Sequence, residues 1–266
     1  MLSSTPNMKI VYRASGLPEL QSPYLICGLP GTGYVGKLAL DYMIHELNAN
    51  HLADIYSTSF PSKIVVRSNG VAELMKNTIF YSKSISSSSN DLLLVTGDSQ
   101  PVNPESEYIL IEQILDIAAK FNTKKIFALA GYATGQFVDS PHIFGTATDI
   151  DMLNKFKERN ITPMDIGSII GGMNGLIIGV AKLRGMQGTC ILAETSGYVV
   201  DAKASKFILE CLTSILGISI NTTSLDKKAK ETEMLIQTIQ QQIAREGLEY
   251  QQSNMPHKPS NTGYIS

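Results

Sequence analysis

Leu25-Ile26-Cys27-Gly28-Leu29-Pro30-Gly31-Thr32-Gly33-Tyr34-Val35-Gly36-Lys37 decides the reading of this chain, because an apolar strand runs there into a glycine-rich turn that opens a helix. Gly31, Gly33 and Gly36 satisfy the dinucleotide pattern G-x-G-x-x-G, and Gly31 with Gly36-Lys37 nearly satisfies the mononucleotide pattern G-x-x-x-x-G-K-[ST]. The mononucleotide reading lacks its hydroxyl: Leu38 follows Lys37, so no side chain is offered to magnesium on the phosphates. The dinucleotide reading lacks its acid. The second strand, expected at Ala53-Asp54-Ile55-Tyr56-Ser57, carries its acid near the start and runs out into Ser57-Thr58-Ser59. The turn reads best as structural, its glycines supplying positive φ and close helix-to-strand packing.

Outward from the turn, four short apolar runs read as buried parallel strands: Tyr24 to Cys27, Leu92 to Thr96, Lys125 to Ala130 and Thr189 to Ala193. Helices are expected over Tyr34 to Leu47, Pro104 to Phe121, Met152 to Arg159, Gly172 to Leu183 and Ala202 to Leu216. The second has Asn103 as N-cap, Pro104 at the first helical position and Glu105 and Glu107 in its first turn. Lys63 to Arg67 and Leu74 to Ser82 read as a hairpin turning at Ser68-Asn69-Gly70, which makes the sheet mixed. Alternating strands and helices predict an α/β fold with a mainly parallel or mixed sheet covered on both faces, followed by a long C-terminal helix.

The polar segments Gly28 to Gly33, Gly97-Asp98-Ser99-Gln100, Gly131-Tyr132 and Glu194-Thr195 fall at the carboxyl ends of the expected strands, where such folds place a crevice. Asp98 and Glu194 are candidates there for a general acid and base, or equally for helix caps. The chain offers no nucleophile signature, and the four histidines show no zinc-ligand spacing, so no catalytic, cofactor or metal residue is assigned.

Composition narrows the partners. With 266 residues and 43% hydrophobic content the chain can bury a substantial core. Lys+Arg 22 against Asp+Glu 24, without a dense basic stretch, points away from nucleic acid and anionic membranes. The apolar run Ile166 to Ala181 is broken by glycines at 167, 171, 172, 175 and 179 and reads as no membrane span. Cys27, Cys190 and Cys211 sit in apolar patterns as buried small hydrophobes, and the N-terminus lacks a signal-peptide pattern; a cytoplasmic protein is expected.

After Leu216 the character changes. An α/β unit is expected over 1–223, a helix over 224–249 and a disordered tail over 250–266. Leu225, Ala229, Thr232, Ile236, Ile239 and Ile243 recur at steps of four and three, a heptad seam that serves either core packing or self-association.

Taken in order, the glycine turn from Gly28 to Lys37, Phe60-Pro61, Leu93 to Pro101, Ala130-Gly131-Tyr132, Gly171 to Leu176, and Leu192 to Thr195 followed by Asp201 to Ala204 resemble the proteasome assembly chaperone family in its archaeal, ATP-independent form. The resemblance covers about Leu17 to Leu225. It implies an α/β sandwich similar to the purine nucleoside phosphorylase architecture, used without catalysis or cofactor as a homo-oligomeric scaffold for proteasome α-subunits. Many members of the family it resembles end in a hydrophobic-Tyr-any tripeptide that inserts into pockets between adjacent α-subunits, whereas this chain ends Tyr264-Ile265-Ser266 after Gly263. One extra residue displaces the terminal carboxylate by roughly 3 Å along an extended tail. Tyr264, Ile265 and Ser266 are therefore expected to dock weakly, and Leu225, Ile236, Ile239 and Ile243 to form the oligomer seam. Two other readings stay open: a small-molecule hydrolase or transferase using Asp98 and Glu194, and a nucleotide-binding regulator.

Overall fold

The structure is a computed structural model that describes residues 7–13, 16–84, 90–232 and 234. Its strands are β1 (Met8–Tyr12), β2 (Tyr24–Cys27), β3 (Asn50–Ser57), β4 (Ile64–Val66), β5 (Ala72–Leu74), β6 (Asn77–Ser82), β7 (Leu92–Gly97), β8 (Lys125–Ala133), β9 (Ile143–Ala147), β10 (Thr162–Pro163) and β11 (Gln187–Thr195). Its helices are α1 (Val35–Glu46), α2 (Pro104–Ala119), α3 (Ile150–Phe156), α4 (Met173–Leu183) and α5 (Ala202–Leu216). Nine strands form one sheet in the order β1-β3-β6-β7-β2-β8-β11-β9-β10.

The four continuous apolar runs are the four adjacent central strands β7, β2, β8 and β11, all parallel. Alternate residues of these strands enter two cores. Leu25, Cys27, Val95, Ile126 and Cys190 face α2 and α4, while Ile26, Leu94, Phe127, Leu129 and Ile191 face α1 and α5. Burial on both faces is why these runs lack polar alternation. Helix α2 starts as its sequence dictates: Asn103 Oδ1 accepts from Ser106 N at 2.9 Å, with Pro104 in the first turn.

The sheet is mixed, but not through the expected hairpin. The turn at 68–70 joins β4 to β5, and these pair only with each other as a separate two-stranded ribbon. The chain breaks after Leu74, and β6 enters the main sheet antiparallel to both β3 and β7. Strand β3 is set apart from β2 by β6 and β7. In a dinucleotide-binding unit the strand after the first helix lies beside the first strand; here β2 is flanked by β7 and β8.

Past α5, residues 223–232 are helical. Leu225, expected to open an oligomer seam, is fully buried in this chain's own second core, and Ala229 is also buried. Tyr42 Oη donates to Asn221 O at 2.7 Å and Lys206 pairs with Asp226 at 2.6 Å, tying this helix to α1 and α5. Ile236, Ile239, Ile243 and the tail residues Tyr264, Ile265 and Ser266 lie outside the described residues.

Candidate functional site

The glycine turn leaves β2 and closes on itself. Tyr34 N donates to Gly31 O at 2.9 Å, and Gly33 and Tyr34 both take left-handed backbone angles, φ 59° and 53°. Gly33 can do so freely, while Tyr34 carries the Cβ penalty of that region. A Cβ on Gly36 would run into the Leu129 carbonyl, so glycine there lets α1 lie directly on β8.

Two side chains from other elements then clasp the turn. Asn174, in the first turn of α4, accepts from Leu29 N at 3.0 Å through Oδ1 and donates to Leu29 O at 2.9 Å through Nδ2. Gln100 donates through Nε2 to Pro30 O and accepts from Met173 N at 2.7 Å through Oε1. On the far side Gly33 O accepts from Asp201 N at 2.9 Å, and the Asp201 carboxylate caps α5 while accepting from Thr195 Oγ1 at 2.7 Å. A phosphate site presents free backbone N–H groups; in this turn Leu29 N and Tyr34 N are engaged inside the protein. Lys37 is engaged as well, with Nζ 2.7 Å from Asp41 Oδ2 and 3.4 Å from Thr96 Oγ1. Neither Asn174 nor Gln100 stood out in the sequence as a site residue; their signal was only their place in the segments 97–101 and 171–176.

Beside the clasp lies a crevice of about 410 Å³, lined by Gly31, Thr32, Gln100, Gly131, Tyr132, Met164, Ile169, Ile170, Gly172 and Asn174 among others. The expected convergence of the turn, Gln100 and Gly131-Tyr132 at one crevice is found. Asp98 and Glu194 do not line it. Among the described residues that do, Tyr132 is the one ionisable side chain, and carboxylate, imidazole, ammonium and thiol groups are absent.

The two candidate carboxylates have other partners. Arg67 from the ribbon forks onto Asp98 at 2.9 and 2.8 Å, and Lys76 N donates to the same carboxylate at 3.2 Å. Arg67 also holds Glu73 at 3.0 Å, and Lys76 Nζ joins Glu73 to buried Asp54, both at 3.3 Å. Asp98 thus anchors the ribbon to the sheet. Glu194 accepts from His142 N at 3.3 Å. Their strands, β7 and β11, are three strand intervals apart, about 14 Å, wider than the roughly 5–9.5 Å between the paired carboxylates of glycoside hydrolases.

The thiols follow the same pattern. Cys27 and Cys190 lie in one row with Ala128 between them, two strand spacings apart, and burial pushes each thiol up to about 12. Among the described residues no group of His, Cys, Asp or Glu could hold a metal ion, and no helix is long and apolar enough to cross a membrane.

Segments that follow the carboxyl ends of the central strands or precede α4 carry exposed apolar side chains: Tyr34 after β2, Phe137 after β8, Ile166 and the crevice-lining Ile169 before α4, and Tyr198 and Val200 after β11. Ile166 and Ile169 are almost entirely in solvent, at 108% and 93% relative exposure. Loops 134–137 and 196–200 meet, since a Cβ on Gly135 would lie 3.4 Å from the Tyr198 hydroxyl. Aromatic and aliphatic groups so displayed, together with a crevice without charge, suit contact with another macromolecule better than bond-making chemistry.

Comparison with known proteins agrees with this fold. The crystal structure of Pyrococcus furiosus PbaB, described as an archaeal proteasome activator, superposes with a TM-score of 0.82 at 37% identity, covering 88% of this chain and 98% of that one. P. furiosus PbaA, described as an archaeal homolog of proteasome-assembly chaperone, shares the fold with a TM-score of 0.72 at 24% identity over 93% of this chain and 98% of its own. An uncharacterized protein of Methanocaldococcus jannaschii is 30% identical over 233 residues, 87% of this chain and 89% of that protein. The PAC2 family model matches residues 25–240, and the chain belongs to the PAC2 family.

Proposed function

We propose that this chain is a non-catalytic partner of the proteasome core particle, binding α-subunits and holding them during assembly or activation. The observation that carries the reading is the 37% identity and TM-score of 0.82 shared with a proteasome activator over 88% of the chain. The uncharged crevice and the exposed apolar side chains support a docking role over a catalytic one. Tyrosine and phenylalanine on loops are well suited to be buried anchors of a protein interface. On this reading the protein works without ATP in the cytoplasm as a homo-oligomer. The apolar seam residues Ile236, Ile239 and Ile243 supply self-association, and Tyr264, Ile265 and Ser266 add a weak auxiliary contact.

The test is calorimetric titration of the full chain into purified archaeal α-subunit rings. The wild-type protein is expected to bind saturably. Ile166→Asp with Ile169→Asp should weaken binding by at least tenfold, about 1.4 kcal/mol, without lowering the melting temperature. Deleting 263–266 should cost about tenfold through loss of a tethered second contact. Absence of binding by the wild-type chain refutes the proposal, and complete loss on tail deletion transfers the main contact from Ile166 and Ile169 to the tail.

A further inference from the structure

A second cavity, of about 210 Å³, opens at the opposite edge of the parallel strands, where Tyr24 begins β2 and Lys125 begins β8. Its floor is apolar. Phe127 and Phe156 are buried there, and the Tyr24 and Phe127 rings meet at 5.8 Å with an interplanar angle of 59°. Its polar lining is unbalanced: Lys125, Lys155 and Arg159 stand around it against one carboxylate, Glu158.

Carboxylate partners for these cations are scarce among the described residues. Lys125 Nζ lies 5.5 Å from the Tyr24 ring centroid, and among the described residues neither Lys125 nor Lys155 has a carboxylate partner. Arg159 reaches Glu158 only at 3.5 Å, and that glutamate is 74% exposed. Arg159 Nη1 donates to Lys155 O at 3.4 Å, while its buried Nε has no hydrogen-bond partner. An unpaired buried donor on a charged group is costly, and three like charges around one cavity repel. An anion seated among them relieves that repulsion, and the guanidinium fork matches an oxyanion in geometry. The volume corresponds to about seven waters at roughly 30 Å³ each, below the roughly 300 Å³ of drug-sized sites, so the ligand is small.

We propose that this cavity binds a small oxyanion, a phosphate or a carboxylate, carried on an aromatic or branched apolar body. The head group lies among Lys125, Lys155 and Arg159, and the body rests on Tyr24, Phe127 and Phe156. The site is independent of the crevice and of the proteasome reading.

Titration of the full chain at low salt with phenyl phosphate, benzoate, inorganic phosphate and phenol tests it. At least one of phenyl phosphate and benzoate is expected to bind below about 1 mM, roughly −4.1 kcal/mol. It should bind at least tenfold tighter than inorganic phosphate or phenol, and the better of the two identifies the head group. Lys155→Gln, at an exposed helical position, and Arg159→Gln should each weaken binding at least tenfold. No saturable binding by either aromatic anion, binding unchanged in Lys155→Gln, or inorganic phosphate binding as tightly as phenyl phosphate overturns the proposal.

Discussion

Replacing Asn174 by alanine should unfasten the glycine turn from α4. Leu29 is fully buried and Asn174 is 4% exposed, so the two hydrogen bonds at 3.0 and 2.9 Å are shielded from solvent. Their loss leaves a buried N–H and a buried C=O unpartnered, about 1–3 kcal/mol each. Asn174 borders the crevice, from which water can enter and offset part of this. The expected net loss is about 2–4 kcal/mol, which at about 2–4 °C per kcal/mol for a chain of this size lowers the melting temperature by roughly 4–16 °C. The chain has no tryptophan, so far-UV circular dichroism with urea titration is the assay. Asn174→Leu separates packing from hydrogen bonding: it fills the space yet satisfies neither Leu29 group, and should be destabilised like the alanine variant. An Asn174→Ala protein within about 0.5 kcal/mol of wild type, the range of ordinary surface changes, or full stability in Asn174→Leu, refutes the clasp.

Gly36→Ala should destabilise by about 3 kcal/mol, the upper range for overpacking, because its Cβ enters the Leu129 carbonyl; urea unfolding at wild-type strength would contradict this. Tyr34→Gly removes about 1–2 kcal/mol of left-handed strain against about 0.5–1 kcal/mol of added chain entropy, so melting should show unchanged or slightly raised stability. A loss above about 1 kcal/mol would mean that the Tyr34 ring packs on something essential. Burial pushes the Asp54 carboxyl up, but hydrogen bonds from Arg13, His51 and Thr78 and the His51 charge outweigh it and hold the group below its ordinary 3.8. A carboxylate lowered in the folded state contributes stability above its unfolded value, about 3.9, and loses it as pH falls through the folded value. Stability measured by urea from pH 6 to pH 2 should therefore fall below about pH 4, and Asp54→Asn should flatten that fall; an equally steep fall in the variant would place the acid sensitivity elsewhere.

The central strands were legible because β7, β2, β8 and β11 are buried on both faces, and a strand with no solvent side writes itself as an unbroken apolar run. Helix α2 was legible because its cap and first turn are local chemistry. The edge strands were not. In β1 the residues Met8–Tyr12 are only partly covered, and β10 is two exposed residues; next to it, β9 is five residues including Gly145, whose missing side chain makes room for Phe156 and Ile161. Likewise Leu74 to Ser82 reads as one strand, and only pairing with β4 on one side and β3 and β7 on the other splits it.

The site divides along the same line. Glycines at 31, 33 and 36 announce a tight strand-to-helix turn, and Leu38 argues against magnesium-linked phosphate binding, both from residues within one local stretch. What the turn does depends on groups far away in the chain. Asn174 is 145 residues from Leu29, and Gln100 is 70 from Pro30, so their hydrogen bonds exist only once α4 has packed against the sheet and β7 has paired with β2. Asp98 looked available until Arg67, 31 residues before it, proved to fork onto it. Leu225 fits a heptad seam by spacing, yet spacing fixes only which face of a helix is apolar. The closure of 221–226 onto α1 and α5 decides what that face meets, and it buries Leu225 within its own chain.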